Sequence, residues 1–367
     1  MTENHFVFNN NDLPYTQKGS VSWESPSNIA LVKYWGKTEP QIPKNASISF
    51  TLSNCHTHTT LSYSPKPSPS GSFDFKVFFE GEEKPGFRPK IEKFFARIAS
   101  YVPFIEQFSF EIHTQNSFPH SSGIASSASG LSALALCLMS LQKIIDPRIT
   151  ENHFKEKASF LARLGSGSAA RSIEGPLVVW GKHPRIQGSN DQYGIRFPGD
   201  IHKVFNTFQD TILLVDKGVK QVSSTVGHNL MLGHPFAKAR FNQAQDSMSR
   251  LIPILKNGDL DTFIEIVEKE ALSLHAMMMT SDPYFILMKP NTLEIIERIW
   301  DFRKTSGSHI CFTLDAGANV HILFPEKDKD LVSSFINKEL IGFCENNQFI
   351  SDHVGFGAQL LSHEEKN

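Results

Sequence analysis

A segment rich in serine and glycine runs directly into a strongly apolar stretch, and this junction constrains the fold most. Residues 119–130 read PHSSGIASSASG, and Leu131, Leu134, Leu138 and Leu141 then recur at the spacing of one helix face. Small residues let backbone N–H groups approach an anion at a helix N-terminus, where the helix dipole also favours negative charge. We therefore interpret the segment as a phosphate-binding loop. A flexible serine-rich linker is the less favoured alternative, because such linkers seldom lead straight into an apolar helix.

Strand signals precede helix signals in both halves of the chain. Residues 22–63 carry strand signals, including 29–32 and 47–52, and further strands are predicted at residues 73–79, 108–113, 177–180, 211–215, 309–314 and 319–324. The predicted helices are residues 90–101, 131–145, 150–165, 235–255, 260–279 and 292–304. A regular βαβ alternation is missing from this order, which favours an α+β fold over a doubly wound one. A chain of 367 residues is expected to form two domains. We place them at residues 1–207 and 208–367.

The composition argues against several broad classes of function. The formal net charge is -2, so neither nucleic acid nor a membrane surface is indicated as a partner. Four widely separated cysteines indicate free thiols rather than a zinc site or a disulfide framework. The N-terminus is polar, unlike a signal peptide, and the apolar run at residues 131–141 is too short to span a bilayer. We expect a soluble, cytoplasmic protein.

A lysine stands within an apolar segment, NIALVKYWGK, at residues 28–37. The Gly-Lys-Thr that ends at Thr38 resembles part of a P-loop, but the first glycine of that motif is replaced by Leu31. Burial of Lys33 without an anionic partner would be costly, which points to a functional charge. An edge-strand lysine that reaches water fits the local pattern about equally well.

A second small-residue segment, GSGSAAR, spans residues 165–171. Two Gly-Ser steps followed by an arginine can form an anion-binding nest, and the guanidinium can hold a carboxylate or phosphate with two parallel hydrogen bonds. The alternative is a helix that ends at Gly165, with Arg171 paired to Glu174 on the surface. The local sequence does not separate these two interpretations.

Asp315 lies in the sequence Thr-Leu-Asp-Ala-Gly at residues 313–317. Asp-x-Gly is a common tight turn, and taken alone the turn is the favoured interpretation. A catalytic role for this carboxylate becomes credible only beside the other motifs.

Five segments, in this order along the chain, resemble motifs of the GHMP kinase superfamily and, within it, of the diphosphomevalonate decarboxylase family. They are NIALVKYWGK at 28–37, the serine-rich loop from Pro119 to Ala128, GSGSAARS at 165–172, VSST at 222–225 and LDAG at 314–317. The loop is common to the superfamily, whereas the first segment is similar to a signature of the decarboxylase family itself. The similarity extends from about residue 22 to beyond residue 320.

The resemblance implies a two-domain α+β fold, with an N-terminal domain similar to a ribosomal-protein domain and a ferredoxin-like C-terminal domain. It also implies an enzyme that uses ATP and Mg²⁺ to convert (R)-5-diphosphomevalonate to isopentenyl diphosphate, ADP, phosphate and carbon dioxide. Three catalytic residues are expected by analogy. Asp315 would orient the substrate's 3-hydroxyl or take its proton, Arg171 would hold the carboxylate, and Lys33 would neutralise charge near the reacting centre.

The same resemblance implies the binding sets. The expected substrate-binding residues are Tyr34, Lys37, Ser166, Ser168 and Arg171. The expected ATP-binding residues are Ser121, Ser122, Gly123, Ala125, Ser126 and Ser127, with Ser127 also a candidate Mg²⁺ ligand. Many members of the family have an arginine upstream of the loop that contacts the diphosphate, and Arg88 is the candidate here. A homodimer is expected.

Other functions remain open at this point. The chain could act on 5-phosphomevalonate, or only phosphorylate a 3-hydroxyl without decarboxylation. A non-catalytic binding protein on the same fold, in contact with RNA, is a third possibility, but the near-neutral charge argues against it.

Overall fold

The computed structural model describes residues 3–8, 16–68, 71–119, 124–218 and 224–365. Its strands are β1 Gly19–Val32, β2 Lys37–Thr38, β3 Ile42–Pro43, β4 Ser47–Pro65, β5 Asp74–Phe79, β6 Glu82–Glu83, β7 Phe108–Asn116, β8 Leu177–Trp180, β9 Ile195–Arg196, β10 Gln209–Leu213, β11 Cys311–Thr313, β12 Val320–Phe324, β13 Phe349–His353 and β14 Gln359–Glu365. Its α-helices are α1 Arg88–Ile98, α2 Ser126–Ile145, α3 Glu151–Gly165, α4 Ser224–Asn229, α5 Ala237–Asn257, α6 Leu260–Met279, α7 Pro290–Ser306 and α8 Lys329–Phe335. A 3₁₀ helix, Gly167–Arg171, follows α3.

The first sheet is mixed and has the strand order β14-β1-β4-β7-β5-β6, with β8 and β9 added beside β4. Its pairs are antiparallel except β5 with β7. Sheet and helices therefore form a mixed α+β fold, which confirms the predicted fold class.

Helix α2 is the predicted apolar helix, and it packs on β1, β4 and α3. Its leucine face is buried in the same core as α1 and α3. By length and composition α2 would also suit a lipid bilayer, but most of its apolar stretch is buried inside the protein. The helix is thus a core helix, and its N-terminus carries the serine-rich segment to the edge of the core.

The second sheet has the order β11-β12-β10-β13, and α6 and α7 pack against β11. A core cluster shared by Ile29, Phe50, Phe208 and Phe263 joins this part of the chain to the first sheet. The last strand, β14, returns to the first sheet and pairs with β1. The domain division after residue 207 stays a prediction, and β14 lies in the first sheet although it follows that division.

Most predicted elements occur with small changes at their ends. The predicted cap is confirmed, because the Thr150 hydroxyl accepts a hydrogen bond from the backbone N–H of His153. The strand predicted at residues 309–314 covers only Cys311–Thr313. His309 donates its backbone N–H to the Asp328 carboxylate at 3.0 Å instead of to a neighbouring strand, so the ladder starts later.

Candidate active site

One cleft, with a volume of about 720 Å³, collects the residues that the sequence motifs single out. Its lining includes Lys33, Tyr34, Lys37, Ala125, Ser126, Ser127, Ser166, Ser168, Arg171 and Asp315. These residues come from segments that are far apart in the sequence, and the fold brings them together. Ser121, Ser122 and Gly123 lie outside the described residues.

Lys33 and Asp315 form an ion pair at the cleft. The Lys33 ammonium lies 3.1 Å from the Asp315 carboxylate, and the two side chains are 2% and 31% exposed. Burial lowers the pKa of Lys33, and the neighbouring Asp315 carboxylate opposes this shift. Lys33 directly follows β1, and its side chain is buried instead of reaching water. The alternative of an edge-strand lysine that reaches water is therefore wrong.

The backbone of Lys33 is fixed by the C-terminal helices. Its N–H donates to the Glu270 carboxylate at 3.0 Å, and Glu270 is paired with Arg240 at 2.6 Å in a fully buried ion pair. Asn45 donates to the Lys33 carbonyl at 2.9 Å. Buried charges require such partners, so this network keeps the lysine in one position beside Asp315.

The turn that carries Asp315 joins β11 to β12. Gly317 donates its N–H to the Asp315 carbonyl at 2.7 Å, as the Asp-x-Gly pattern predicts. His275 on α6 contacts the same carbonyl through Nε2 at 3.1 Å. Burial lowers the pKa of His275 to about 4, so the ring is neutral at pH 7 and donates from Nε2. The turn is thus both a tight turn and the support of a charged side chain in the cleft.

Arg171 ends the 3₁₀ helix and points to strand β4. Its Nε and Nη1 donate to the hydroxyls of Ser49 and Ser47, each at 2.6 Å. The two serines are two residues apart, so both hydroxyls lie on one face of the strand. Burial lowers the pKa of Arg171 to about 10, and the group stays charged at pH 7. Arg171 is only 3% exposed, so the alternative of a surface pair with Glu174 is wrong.

Tyr34 lies against the 3₁₀ helix. A Cβ atom added to Gly167 would stand 2.8 Å from the Tyr34 hydroxyl, so only glycine permits this approach. Among the described residues the buried Tyr34 hydroxyl has no hydrogen-bond partner. Lys37 bonds to the side chain of Gln41 at 2.9 Å and pairs with Glu39 at 3.2 Å. A hydroxyl without a partner and an ammonium group in the lining of one cleft suit an anionic ligand.

The N-terminus of α2 opens on the same cleft. Ala125, just before the helix, has the left-handed backbone conformation, with φ of 45°. The Ser27 hydroxyl donates to the Ile124 carbonyl at 2.7 Å, and Lys90 on α1 donates to the Ser127 hydroxyl at 2.6 Å. This geometry suits phosphate groups, because free backbone N–H groups, hydroxyls and a lysine meet at one helix N-terminus.

Arg88 is engaged outside the cleft lining. Its Nε donates to Glu92 at 2.8 Å and its Nη1 to the Phe75 carbonyl at 2.8 Å. Further along the same helix, Lys90, Lys93 and Arg97 line the cleft instead. Helix α1 therefore presents positive charge to the cleft through these three residues.

The structure also adds site residues that the sequence motifs do not predict. They are Ser47, Ser49, Lys90, Arg240, Glu270, His275 and, in the cleft lining, His228. Each of these residues makes a hydrogen bond to a residue that is 37 or more positions away in the sequence. Local spacing carries no signal for such contacts.

Two family models match successive parts of the chain. The diphosphomevalonate decarboxylase-like N-terminal domain matches residues 25–191, and the mevalonate 5-diphosphate decarboxylase C-terminal domain matches residues 211–365. The chain belongs to the diphosphomevalonate decarboxylase family. Its two-domain α+β architecture is accordingly the GHMP kinase fold.

Relatives in this family match over most of their length. The diphosphomevalonate decarboxylase of Gibberella zeae is 28% identical over 358 residues, which cover 93% of this chain and 91% of the relative. The human diphosphomevalonate decarboxylase is 26% identical, and the match covers 88% of this chain and 80% of the human protein. The Staphylococcus aureus mevalonate diphosphate decarboxylase structure superposes with a TM-score of 0.80 at 26% identity, with 94% and 98% covered. A solved complex of MDDEF with MVAPP, AMPPCP and magnesium superposes with a TM-score of 0.79 at 25% identity, and the match covers 94% of this chain and 99% of that one.

Proposed function

We propose that this protein catalyses the ATP-dependent decarboxylation of (R)-5-diphosphomevalonate to isopentenyl diphosphate, ADP, phosphate and carbon dioxide, a step of the mevalonate pathway. The observation that carries the proposal is the meeting of Asp315, Lys33 and Arg171 in one cleft with the N-terminus of α2. A carboxylate, two cations and a phosphate-binding helix end are the groups that phosphoryl transfer followed by decarboxylation requires.

The first step phosphorylates the 3-hydroxyl, because a tertiary hydroxyl is a poor leaving group. Asp315 accepts a hydrogen bond from this hydroxyl and orients it or takes its proton as the oxygen attacks the γ-phosphorus of ATP. The new O–P bond forms while the bond from the γ-phosphorus to ADP breaks. The Lys33 ammonium, 3.1 Å from the Asp315 carboxylate, balances the negative charge as the proton and the phosphoryl group move.

The second step expels phosphate and carbon dioxide. The C3–O bond breaks and its electron pair leaves with phosphate, so that positive charge develops at C3. The electron pair of the bond to the carboxylate carbon then becomes the C2–C3 double bond. Arg171, held by Ser47 and Ser49, orients the carboxylate with its remaining N–H groups until carbon dioxide departs.

The remaining motif residues bind the two substrates. Tyr34, Lys37, Ser166 and Ser168 hold the diphosphate, and Ala125, Ser126 and Ser127 hold the ATP phosphates together with Ser121, Ser122 and Gly123. The part of the chain that the structure describes has no cluster of three or more His, Cys, Asp or Glu side chains for a metal. Mg²⁺ would therefore be held by phosphate oxygens and the Ser127 hydroxyl, where it neutralises phosphate charge. Lys90 has to leave that hydroxyl for the metal to bind there.

The same proposal extends to assembly and location. The protein acts in the cytoplasm as a homodimer, and its partners are the diphosphate substrate and ATP rather than nucleic acid or a membrane. Residues 1–207 and 208–367 are the proposed domains. Sedimentation equilibrium of the purified protein tests the dimer.

One assay separates this function from its rivals. The protein is supplied with ATP and Mg²⁺ together with mevalonate, its 5-phosphate or its 5-diphosphate, and carbon dioxide and ADP are measured for each. We expect both products in equal amounts with the 5-diphosphate. Preference for the 5-phosphate would overturn the substrate assignment, ADP without carbon dioxide would indicate a kinase, and no ATP turnover would indicate a binding protein.

The Asp315→Asn variant tests the assigned carboxylate. We expect turnover to fall by roughly 10²- to 10⁴-fold, the usual contribution of a positioned acid–base group, with ATP affinity nearly unchanged. Near-normal turnover would remove Asp315 from its assigned role.

A further inference from the structure

His228, at the end of α4, lines the cleft although no sequence motif points to it. Its ring lies 4.2 Å from the Tyr34 ring and 4.6 Å from the Trp35 ring, measured between centroids. The preceding residue is pressed against the indole, because a Cβ atom on Gly227 would stand 2.5 Å from Trp35. The backbone and two aromatic rings together fix the imidazole in one place.

The hydrogen bond at Nδ1 fixes the state of the ring. The Gly36 N–H donates to Nδ1 of His228 at 3.0 Å, so Nδ1 is an acceptor and the proton of a neutral ring lies on Nε2. Burial, together with the nearby charges of Lys37 and Arg171, lowers the pKa of His228 to about 3. The ring is therefore neutral at pH 7, with an N–H donor on the edge opposite Gly36.

The ring that carries this donor packs against Tyr34, one of the groups that suit an anion. The Tyr34 hydroxyl, buried and without a partner among the described residues, belongs to the ring that His228 contacts, and Lys37 and Arg171 are close enough to act on the imidazole charge. Within the described part of the chain, the structure records no hydrogen bond at Nε2 of His228.

We propose that His228 binds the diphosphate end of the substrate as a neutral hydrogen-bond donor through Nε2–H. The inference rests on the proposed function and adds a binding residue to it. A neutral donor suits this position, because a third cation beside Lys37 and Arg171 would be repelled before substrate binds. The diphosphate is favoured over the carboxylate because the ring packs on Tyr34, which lies against Gly167 in the segment assigned to the diphosphate.

Two variants separate hydrogen bonding from packing. His228→Leu removes the donor and keeps an apolar side chain, whereas His228→Gln keeps an N–H donor near the position of Nε2. For His228→Leu we expect the KM for 5-diphosphomevalonate to rise about tenfold, as for the loss of a hydrogen bond to a charged group. The kcat should change much less, and the KM for ATP should stay close to that of the unmodified protein. His228→Gln should recover most of the lost affinity.

A buried histidine nearby supplies the matched control. In His234, Nδ1 accepts from the Phe236 N–H at 3.1 Å and Nε2 contacts the Met277 carbonyl at 3.1 Å, but the residue does not line the cleft. His234→Gln should leave both KM values unchanged. The ratio of KM between His228→Leu and the unmodified protein should be constant between about pH 6 and about pH 8, because a neutral donor does not titrate there.

The results distinguish this inference from the function on which it rests. If the unmodified protein does not release carbon dioxide from 5-diphosphomevalonate, the proposed function fails. If it does, and His228→Leu keeps the same KM or His228→Gln loses as much affinity as His228→Leu, then His228 does not act as a donor. A KM ratio that changes steeply near pH 6.5 would indicate a charged imidazole and would also overturn the inference.

Discussion

The two hydrogen bonds from Arg171 to serines of strand β4 allow a test of whether the position of Arg171 determines activity. Ser47→Ala and Ser49→Ala each remove one acceptor from a guanidinium that is only 3% exposed. Neither serine is assigned to a substrate. A loss of activity in these variants would therefore be due to the changed position of Arg171.

The size of the effect follows from the two 2.6 Å contacts. A hydrogen bond to a charged group contributes about 1.5–3 kcal/mol, and water that enters the cleft replaces part of it. We expect each variant to lower kcat/KM by about 1–2 kcal/mol in transition-state stabilisation, or roughly 5- to 30-fold. Ser47 also donates to the Trp180 carbonyl at 3.2 Å, so its variant should be the more damaging of the two.

The measurement is kcat/KM for carbon dioxide release in the two single variants and the double variant. Both serines act on one guanidinium, so their effects should not add in the double variant. Ser62→Ala is the control, since Ser62 lies on the same strand, whereas the Arg171 guanidinium donates to Ser47 and Ser49. A double variant within about twofold of the unmodified enzyme would refute the idea that β4 positions Arg171.

Two further predictions concern the nucleotide and the pH. Lys90→Met should raise the KM for ATP about tenfold with little change for the diphosphate substrate, because Lys90 brings a positive charge to the N-terminus of α2, where the ATP phosphates are proposed to bind. Equal effects on both KM values would contradict this. The pKa of His275 is lowered by burial to about 4, so below about pH 6.5 the unfolded chain binds a proton that the folded chain does not, and stability falls as the pH falls. The melting temperature should therefore drop less steeply on acidification in His275→Gln than in the unmodified protein. If the two plots of melting temperature against pH run parallel, His275 is not the cause of the pH dependence.

The helices, strands and motifs can be predicted from the sequence, because they depend on residues that are close together along the chain. Leucine spacing predicts α2, and the Thr150 cap and strand Leu177–Trp180 occur as expected. The likeness to a known family singles out Lys33, Arg171 and Asp315, which local patterns alone leave undecided. Their assigned roles remain predictions.

What the sequence does not reveal is how these residues are held. Glu270 is 237 positions from Lys33, and Ser47 is 124 positions from Arg171. Such contacts depend on tertiary packing, which overrides the local preferences of each segment. The same reason explains why Lys33 resembles an edge-strand residue in sequence but is buried in the structure.

The return of β14 to the first sheet has a consequence for how the chain is made. Residues 19–24 of β1 hydrogen-bond to β14, which ends at Glu365. During synthesis, β1 and β4 leave the ribosome long before β14 exists, so this side of β1 stays an open edge until the last strand is complete. Open edges pair readily with other chains. The nascent protein is therefore open to aggregation at residues 19–24 of β1 until β14 pairs with them.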